Sequence, residues 1–322
     1  MNKLKVLSLF SGIGAFEKAL TNIGVNYEVV NYCDVDKYAS KCYSIIHNID
    51  ETLNLWDITK INIDSLPNFN LLFHGSPCQD YSIAGKQQGG DKGSNTRSSL
   101  MWYTVEIIKA KKPKYVIWEN VKNVLGKSHI HNFDMYLNDL ASLGYKSYYK
   151  VINSNEFGSP QNRERVFVIS ILGEHDPFVF PSGGPLNISL KNALEDCVNE
   201  KFFVNKPFFL IEKGEVNSAC KLVGKLDIKG HDYIKRIYSV DYCSPTLPTG
   251  TGGNHEPKIL LGDKVRKLTP LEYWRLQKFD DEDFYKCKNN KISNSQLYKL
   301  AGNSITVTVL EEIFKSLFRC NY

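Results

Sequence analysis

Cys78 is placed for nucleophilic chemistry. It follows Pro77 just after a short apolar run, Leu71-Leu72-Phe73, and precedes polar Gln79, Asp80, Tyr81 and Ser82. A structural cysteine sits more naturally inside the run; one on a loop can be deprotonated and attack an electrophile. Glu119 ends a second apolar run, Tyr115-Val116-Ile117-Trp118. Burial there raises a carboxyl pKa, which suits a proton donor at neutral pH; a salt bridge to a nearby arginine is the alternative reading. Arg163 and Arg165 lead into Val166-Phe167-Val168-Ile169. On a strand the side-chain period of two puts both guanidiniums on one face. There they suit an anionic or carbonyl-rich ligand.

A second set could bind a ligand through backbone and carboxylates. Phe10-Ser11-Gly12-Ile13-Gly14 follows the first apolar run, and its glycines let the chain approach a ligand closely. The third glycine of a dinucleotide fingerprint is missing, since Glu17 stands there. Asp34 lies about twenty residues on, where such folds place a ribose-binding carboxylate. Taken alone, Asp34 reads better as a helix N-cap, and Asp57 likewise as a cap or turn residue.

These residues need strands to present them. The pattern predicts strands over 6–10, 27–32, 71–73, 115–118 and 166–169, and helices over 15–23, 37–47 and 100–110. Such alternation argues for an α/β fold with a parallel sheet. In that fold the ends of the strands would bring the glycines, Asp34, Asp57, Cys78 and Glu119 to one rim. Residues 173–262 are rich in proline and glycine with weak helical periodicity, which predicts a smaller, loop-rich domain. From Arg266 helix patterns return: Thr269-Pro270-Leu271-Glu272 is a helix start, and a last helix is expected over 305–318.

Composition narrows the class. The chain has 322 residues, 42% hydrophobic and 23% charged, values of a globular protein rather than a disordered or collagenous one. No apolar run is long enough for a membrane span, and the first ten residues make no signal peptide. Eight cysteines, none in a CxxC pair, give little support to a zinc site or a disulfide framework. A reducing, cytoplasmic setting and no metal are expected. The net charge is +5, and residues 86–165 carry thirteen Lys/Arg against seven Asp/Glu. That excess could attract a polyanion; a solvated lysine-rich surface explains it as well.

Taken together, the sequence resembles the DNA (cytosine-5) methyltransferases of bacterial and phage modification systems. The resemblance runs through nearly the whole chain in family order. It includes Leu9-Phe10-Ser11-Gly12-Ile13-Gly14, Asp34-Val35-Asp36-Lys37-Tyr38, Asp57-Ile58-Thr59 and Gly75-Ser76-Pro77-Cys78-Gln79-Asp80-Tyr81-Ser82. It continues through residues 114–121 with Glu119-Asn120-Val121, Gln161-Asn162-Arg163-Glu164-Arg165, Arg266-Lys267-Leu268-Thr269-Pro270 and Ala301-Gly302-Asn303-Ser304.

The resemblance implies a Rossmann-like, S-adenosylmethionine-dependent catalytic domain over 1–172, a target-recognition domain over 173–262 and a C-terminal segment, 263–322, returning to the first. It implies methyl transfer to C5 of cytosine in a short double-stranded DNA site, through a covalent adduct and a flipped base. S-adenosylhomocysteine is then the product. Cys78 matches the nucleophile, Glu119 the group on the ring nitrogen and Arg165 the partner of the base carbonyl, with Arg163 beside it; Asn120 would hold the turn at Pro77. Phe10, Ser11, Gly12, Ile13, Gly14, Asp34, Val35, Asp57, Ile58, Pro77, Leu100, Asn303 and Ser304 match cofactor contacts. Gln79, Ser82, Lys86, Arg97, Thr246 and Leu247 are the expected DNA contacts, the last two resembling the Thr-Leu pair of the recognition domain. A monomer is implied; whether a separately encoded restriction endonuclease is its partner the sequence leaves open. Val35 stands where an aromatic is often found, and Ala84 where some relatives have a small polar residue. The same chemistry on transfer RNA, a catalytically silent DNA-binding relative and, on the glycine loop alone, a nicotinamide-dependent oxidoreductase are the competing readings.

Overall fold

Strand β1 (Leu4–Leu9) is buried at all but one position, as a strand inside a two-sided sheet must be. It is followed by α1 (Ala15–Asn22), β2 (Tyr27–Cys33), α2 (Lys37–His47), β3 (Leu71–His74), α3 (Met101–Lys111), β4 (Tyr115–Val121), α4 (Ile130–Ser142), β5 (Tyr145–Asn153) and β6 (Glu164–Leu172). The strand order is β2-β1-β3-β4-β6-β5. Parallel pairing joins β1 to β2 and to β3, and β3 to β4. Strand β6 runs antiparallel to β4, with Glu119 opposite Phe167 and Val121 opposite Arg165. The chain goes from β1 outward to β2, then crosses to β3 on the other side of β1. The carboxyl ends of β1 and β3 thus flank a switch point, where open α/β sheets bind ligands. This computed structural model describes residues 3–77, 81, 89–94, 96–184, 188–217, 219–250 and 255–318.

The chain divides into two compact units. The first holds residues up to Ile152, Glu164–Pro181 and the chain from Ile313 on; the second holds Asn153–Arg163 and Ser182–Glu312. In the first unit Phe16 of α1 stacks on Phe73 of β3 at 4.4 Å between ring centroids, and Phe314 near the C-terminus closes on Phe73 at 5.4 Å. Trp118 of β4 packs against Phe133 and Tyr136 of α4.

The second unit contains β7 (Phe208–Asn217), β8 (Cys220–Leu226), α5 (Asp232–Lys235), β9 (Arg236–Ser239), β10 (Lys258–Leu261), β11 (Lys264–Lys267), α6 (Pro270–Leu276), α7 (Asp281–Asn289) and α8 (Asn294–Asn303). Helix α9 (Val307–Phe318) begins there and ends in the first unit. The stretch expected to be loop-rich therefore carries most of a five-stranded sheet, ordered β11-β10-β9-β8-β7. Strand β8 escapes a helix-based reading because it alternates at period two: Cys220–Leu226 is buried at every second residue. The segment after residue 262 also differs from expectation. It stays with the second unit until Ile313, because β11 pairs with β10 and the buried Arg266–Glu272 ion pair ties β11 to α6. Among the described residues no helix is long and apolar enough to cross a membrane.

Glu17, at the position of the missing third glycine, is fully buried in α1. Burial pushes its carboxyl up from the ordinary 4.5, partly offset by the Ser8 and Tyr43 hydroxyls. An acid with a raised folded pKa contributes stability below its unfolded pKa and loses it as pH rises through the folded value. Each unit of that rise is worth about 1.4 kcal/mol. Glu17→Gln is therefore expected to match wild type in thermal unfolding at pH 4 and to exceed it at pH 8. Equal midpoints at both pH values would contradict the buried neutral acid.

Candidate functional site

The loop after β1 is built from left-handed backbone. Phe10, Gly12 and Gly14 have φ of 54°, 56° and 78°. Phe10 thus ends the strand rather than extending it. The loop closes through Gly14 N–H to Ser11 O at 2.9 Å and is tied to β2 through Ser11 N–H to Cys33 O at 3.2 Å. His47 of α2 lies 3.0 Å from Ile13 O. It sits so close that a Cβ at Gly14 would be 2.1 Å from its Nε2, so only glycine fits. Gly12 is the opposite case, with nothing within 4 Å of an added Cβ. One face of the loop is packed and the other open.

Asp34 faces that loop. Gly12 N–H donates to Oδ2 at 2.8 Å and Asp36 N–H to Oδ1 at 2.8 Å. Asp34 is not the cap of α2; Asp36 is, accepting from Tyr38 N–H at 2.9 Å. Buried Asn54, unmarked by any motif, holds the backbone of Asp34: it accepts from Asp34 N–H at 3.1 Å and donates to Asp34 O at 3.0 Å. In a sequence this asparagine reads only as a turn residue. Val35 beside it is 78% exposed. Asp57 caps a short 3-10 turn, Ile58–Lys60, and hydrogen bonds from Thr59 hold its carboxyl below the ordinary range. Ile58 is buried.

At the end of β3 the backbone before Cys78 is fixed from three directions. Trp118 Nε1–H donates to Ser76 Oγ at 3.1 Å, Asn120 Nδ2–H to Ser76 O at 3.2 Å and Ser98 Oγ–H to Pro77 O at 2.8 Å. Asn120 thus grips the turn one residue earlier than expected. Leu100, just before α3, packs on the core. Cys78, Gln79, Ser82 and Lys86 lie outside the described residues; Arg97 is exposed.

Glu119 is inside β4, not at its end, and is 8% exposed. Its Oε1 is 3.1 Å from Arg165 Nε across the β4–β6 pair. Its Oε2 would lie 3.8 Å from a Cβ at Gly75. The carboxylate, the guanidinium and the Gly75–Pro77 backbone thus meet at one corner of the sheet. Cys33, by contrast, is no candidate nucleophile: burial pushes its thiol up to about 12. No group of three or more His, Cys, Asp or Glu among the described residues could hold a metal.

Arg163 does not share a strand face with Arg165. Strand β6 begins at Glu164, and Arg163 is buried in the second unit. There its Nη2 donates to Gly302 O at 3.2 Å and Ser304 O at 2.7 Å. Ser304 caps the C-terminus of α8, and Asn303 is exposed. In the same unit Thr246 is exposed and its hydroxyl donates to Asn162 O at 2.7 Å. Leu247, expected on DNA, is 2% exposed, with its N–H on Gln161 Oε1 at 3.3 Å. It packs the turn rather than offering surface.

The family model for C-5 cytosine-specific DNA methylase matches residues 4–319. An orphan methyltransferase, M.SPBetaI of Bacillus phage SPbeta, is 37% identical, with 98% of each chain covered. The type II methyltransferase M2.ScrFI of Lactococcus lactis subsp. cremoris is 41% identical over 83% of this chain and 71% of its own. In fold, the Entamoeba histolytica methyltransferase EhMeth superposes with a TM-score of 0.76 at 19% identity, covering 99% of both chains. With this fold and these residues at the strand ends, the chain belongs to the C-5 cytosine-specific DNA methylases and is a cytosine DNA methyltransferase.

Proposed function

We propose that the protein transfers a methyl group from S-adenosylmethionine to C5 of cytosine within a short double-stranded DNA site, through a covalent bond from Cys78. The observation that carries this is the Glu119–Arg165 pair, seated beside the backbone that leads into Cys78.

The cofactor fits what the first unit offers. Backbone N–H groups orient both oxygens of Asp34, and a carboxylate so held would accept a pair of ribose hydroxyls. Gly12 leaves open space for the methionine portion. Phe10, Ser11, Ile13 and Gly14 shape that loop. Asp57 and Ile58 would meet the adenine edge, while Val35, Pro77 and Leu100 complete the proposed contacts of this unit; Asn303 and Ser304 belong to the second unit. Bound there, S-adenosylmethionine supplies an electrophilic methyl group.

The protein's own groups make the other reactant. C5 of cytosine is a weak nucleophile. The Cys78 thiolate adds to C6, forming a C–S bond and pushing electron density to C5. Glu119 engages N3 and Arg165 the O2 side, stabilising the added charge. C5 takes the methyl group as the donor's sulfur leaves with its electron pair. A base removes the C5 proton, the C5–C6 double bond re-forms and Cys78 departs as thiolate. The base must first leave the duplex, at roughly a few kcal/mol. Lys86, Arg97, Gln79 and Ser82 are the proposed contacts to the opened DNA, with Thr246 on the recognition side. Arg163 acts as a positioning residue, holding the carbonyls around Asn303.

The test is incubation with methyl-labelled S-adenosylmethionine and unmethylated genomic DNA, with transfer RNA in parallel, followed by digestion to nucleosides. Label in 5-methylcytosine from DNA is the expected result. Label in RNA alone would overturn the substrate, and label in neither would overturn the activity.

A further inference from the structure

Trp56 sits where a side chain is disfavoured twice over. Its φ is +57°, in the left-handed region that penalises any residue with a Cβ. Its indole is 44% exposed, whereas the other three tryptophans, Trp102, Trp118 and Trp274, are buried. A strained residue persists only when its surroundings hold it, and such strain collects at binding sites. Here the hold is explicit. Trp56 N–H donates to Asn54 Oδ1 at 2.8 Å, and Cys33 Sγ–H donates to Trp56 O at 3.2 Å. The same Asn54 oxygen takes Asp34 N–H at 3.1 Å. The backbone amides of Trp56 and Asp34 therefore share one acceptor just beyond β2, with Asp57 next in the chain.

That rim offers a fixed carboxylate, a second ionised carboxylate and an exposed aromatic face. Together these suit a nucleoside: hydroxyls on one carboxylate, an amino edge on the other and a flat ring on the indole. Val35, also exposed, has no ring to stack. We propose that the adenine of S-adenosylmethionine stacks on Trp56, which supplies the aromatic face that Val35 lacks. The inference rests on the cofactor reading above.

Titration with S-adenosylhomocysteine, read by calorimetry and by tryptophan emission, tests it. Wild type is expected to bind with a saturable change in emission. Trp56→Gly is expected to bind about tenfold more weakly and to lose the emission change. Its unfolding midpoint should not fall, because glycine adopts positive φ freely. Trp56→Phe should stay within about threefold of wild type, since a ring remains. Wild-type affinity in Trp56→Gly, or equal weakening in Trp56→Gly and Trp56→Phe, overturns the stacking and leaves the cofactor site standing. Absence of binding by wild type overturns the cofactor reading and the stacking together.

Discussion

Cys78→Ser is expected to lower methyl transfer to DNA by roughly 10⁴-fold, about 5.5 kcal/mol in the barrier. The proposed reaction needs an anionic nucleophile at C6. A thiol, with an unperturbed pKa of about 8.5, reaches that state near neutral pH, whereas a serine hydroxyl does not without a dedicated base. The chain leading to this position is held in place, with Ser76 and Pro77 gripped by Trp118, Asn120 and Ser98. Serine is smaller by little and carries no charge, so S-adenosylhomocysteine affinity and the unfolding midpoint should stay at wild-type values. Single-turnover transfer of labelled methyl, beside a binding titration, separates the two. Wild-type transfer by Cys78→Ser would remove the nucleophile assignment.

Glu272→Ala is expected to destabilise the second unit by about 3–5 kcal/mol, the cost of leaving a buried charge without its partner. Glu272 and Arg266 are both almost fully buried. Arg266 Nη2 donates to Glu272 Oε1 at 2.6 Å and Nη1 to Oε2 at 2.8 Å. The same carboxylate takes Thr269 N–H at 2.8 Å and Glu195 N–H at 2.9 Å. Its loss would strand a guanidinium and two backbone donors. Replacing the pair together, Arg266→Met with Glu272→Leu, should cost less than Glu272→Ala, because no charge is then left unpaired although the two backbone donors still lose their acceptor. Denaturant midpoints of the three proteins check this; a Glu272→Ala midpoint equal to wild type would contradict it.

The same pair shows how unevenly the sequence reveals the structure. Thr269-Pro270-Leu271-Glu272 announces a helix start, and α6 begins there with Thr269 and Glu272 capping each other. Helix α2 likewise occupies residues 37–47 as its apolar spacing predicts. Local rules suffice for both. Strand β4 runs three residues beyond its apolar run because Glu119 and Asn120 are buried by partners distant in sequence, Arg165 and Ser76. No local pattern signals that. Strand β5 passes unnoticed because only its Tyr145 and Ile152 are buried and it mixes lysine with tyrosine.

Chemistry was more legible than placement. Asp34 and Glu119 could each be read as ordinary structural carboxylates. The structure excludes the capping role for Asp34, which binds the glycine loop while Asp36 caps α2; Glu119 makes the arginine salt bridge that was its structural alternative, at the corner that leads to Cys78. Arg163 and Leu247 moved the other way, from expected ligand contacts to interior supports. Spacing along a strand could not show this, because Arg163 precedes the first residue of β6 and Leu247 is buried by a turn.

The most direct test of covalent C5 chemistry uses DNA in which every cytosine is 5-fluorocytosine, so that the target site need not be known. Fluorine replaces the proton whose removal releases Cys78, so methyl transfer should stall at the bonded stage. The account predicts a denaturation-resistant protein–DNA complex that requires S-adenosylmethionine and does not form with Cys78→Ser. A protein that methylates ordinary DNA yet forms no such complex, or forms it equally with Cys78→Ser, would contradict the account.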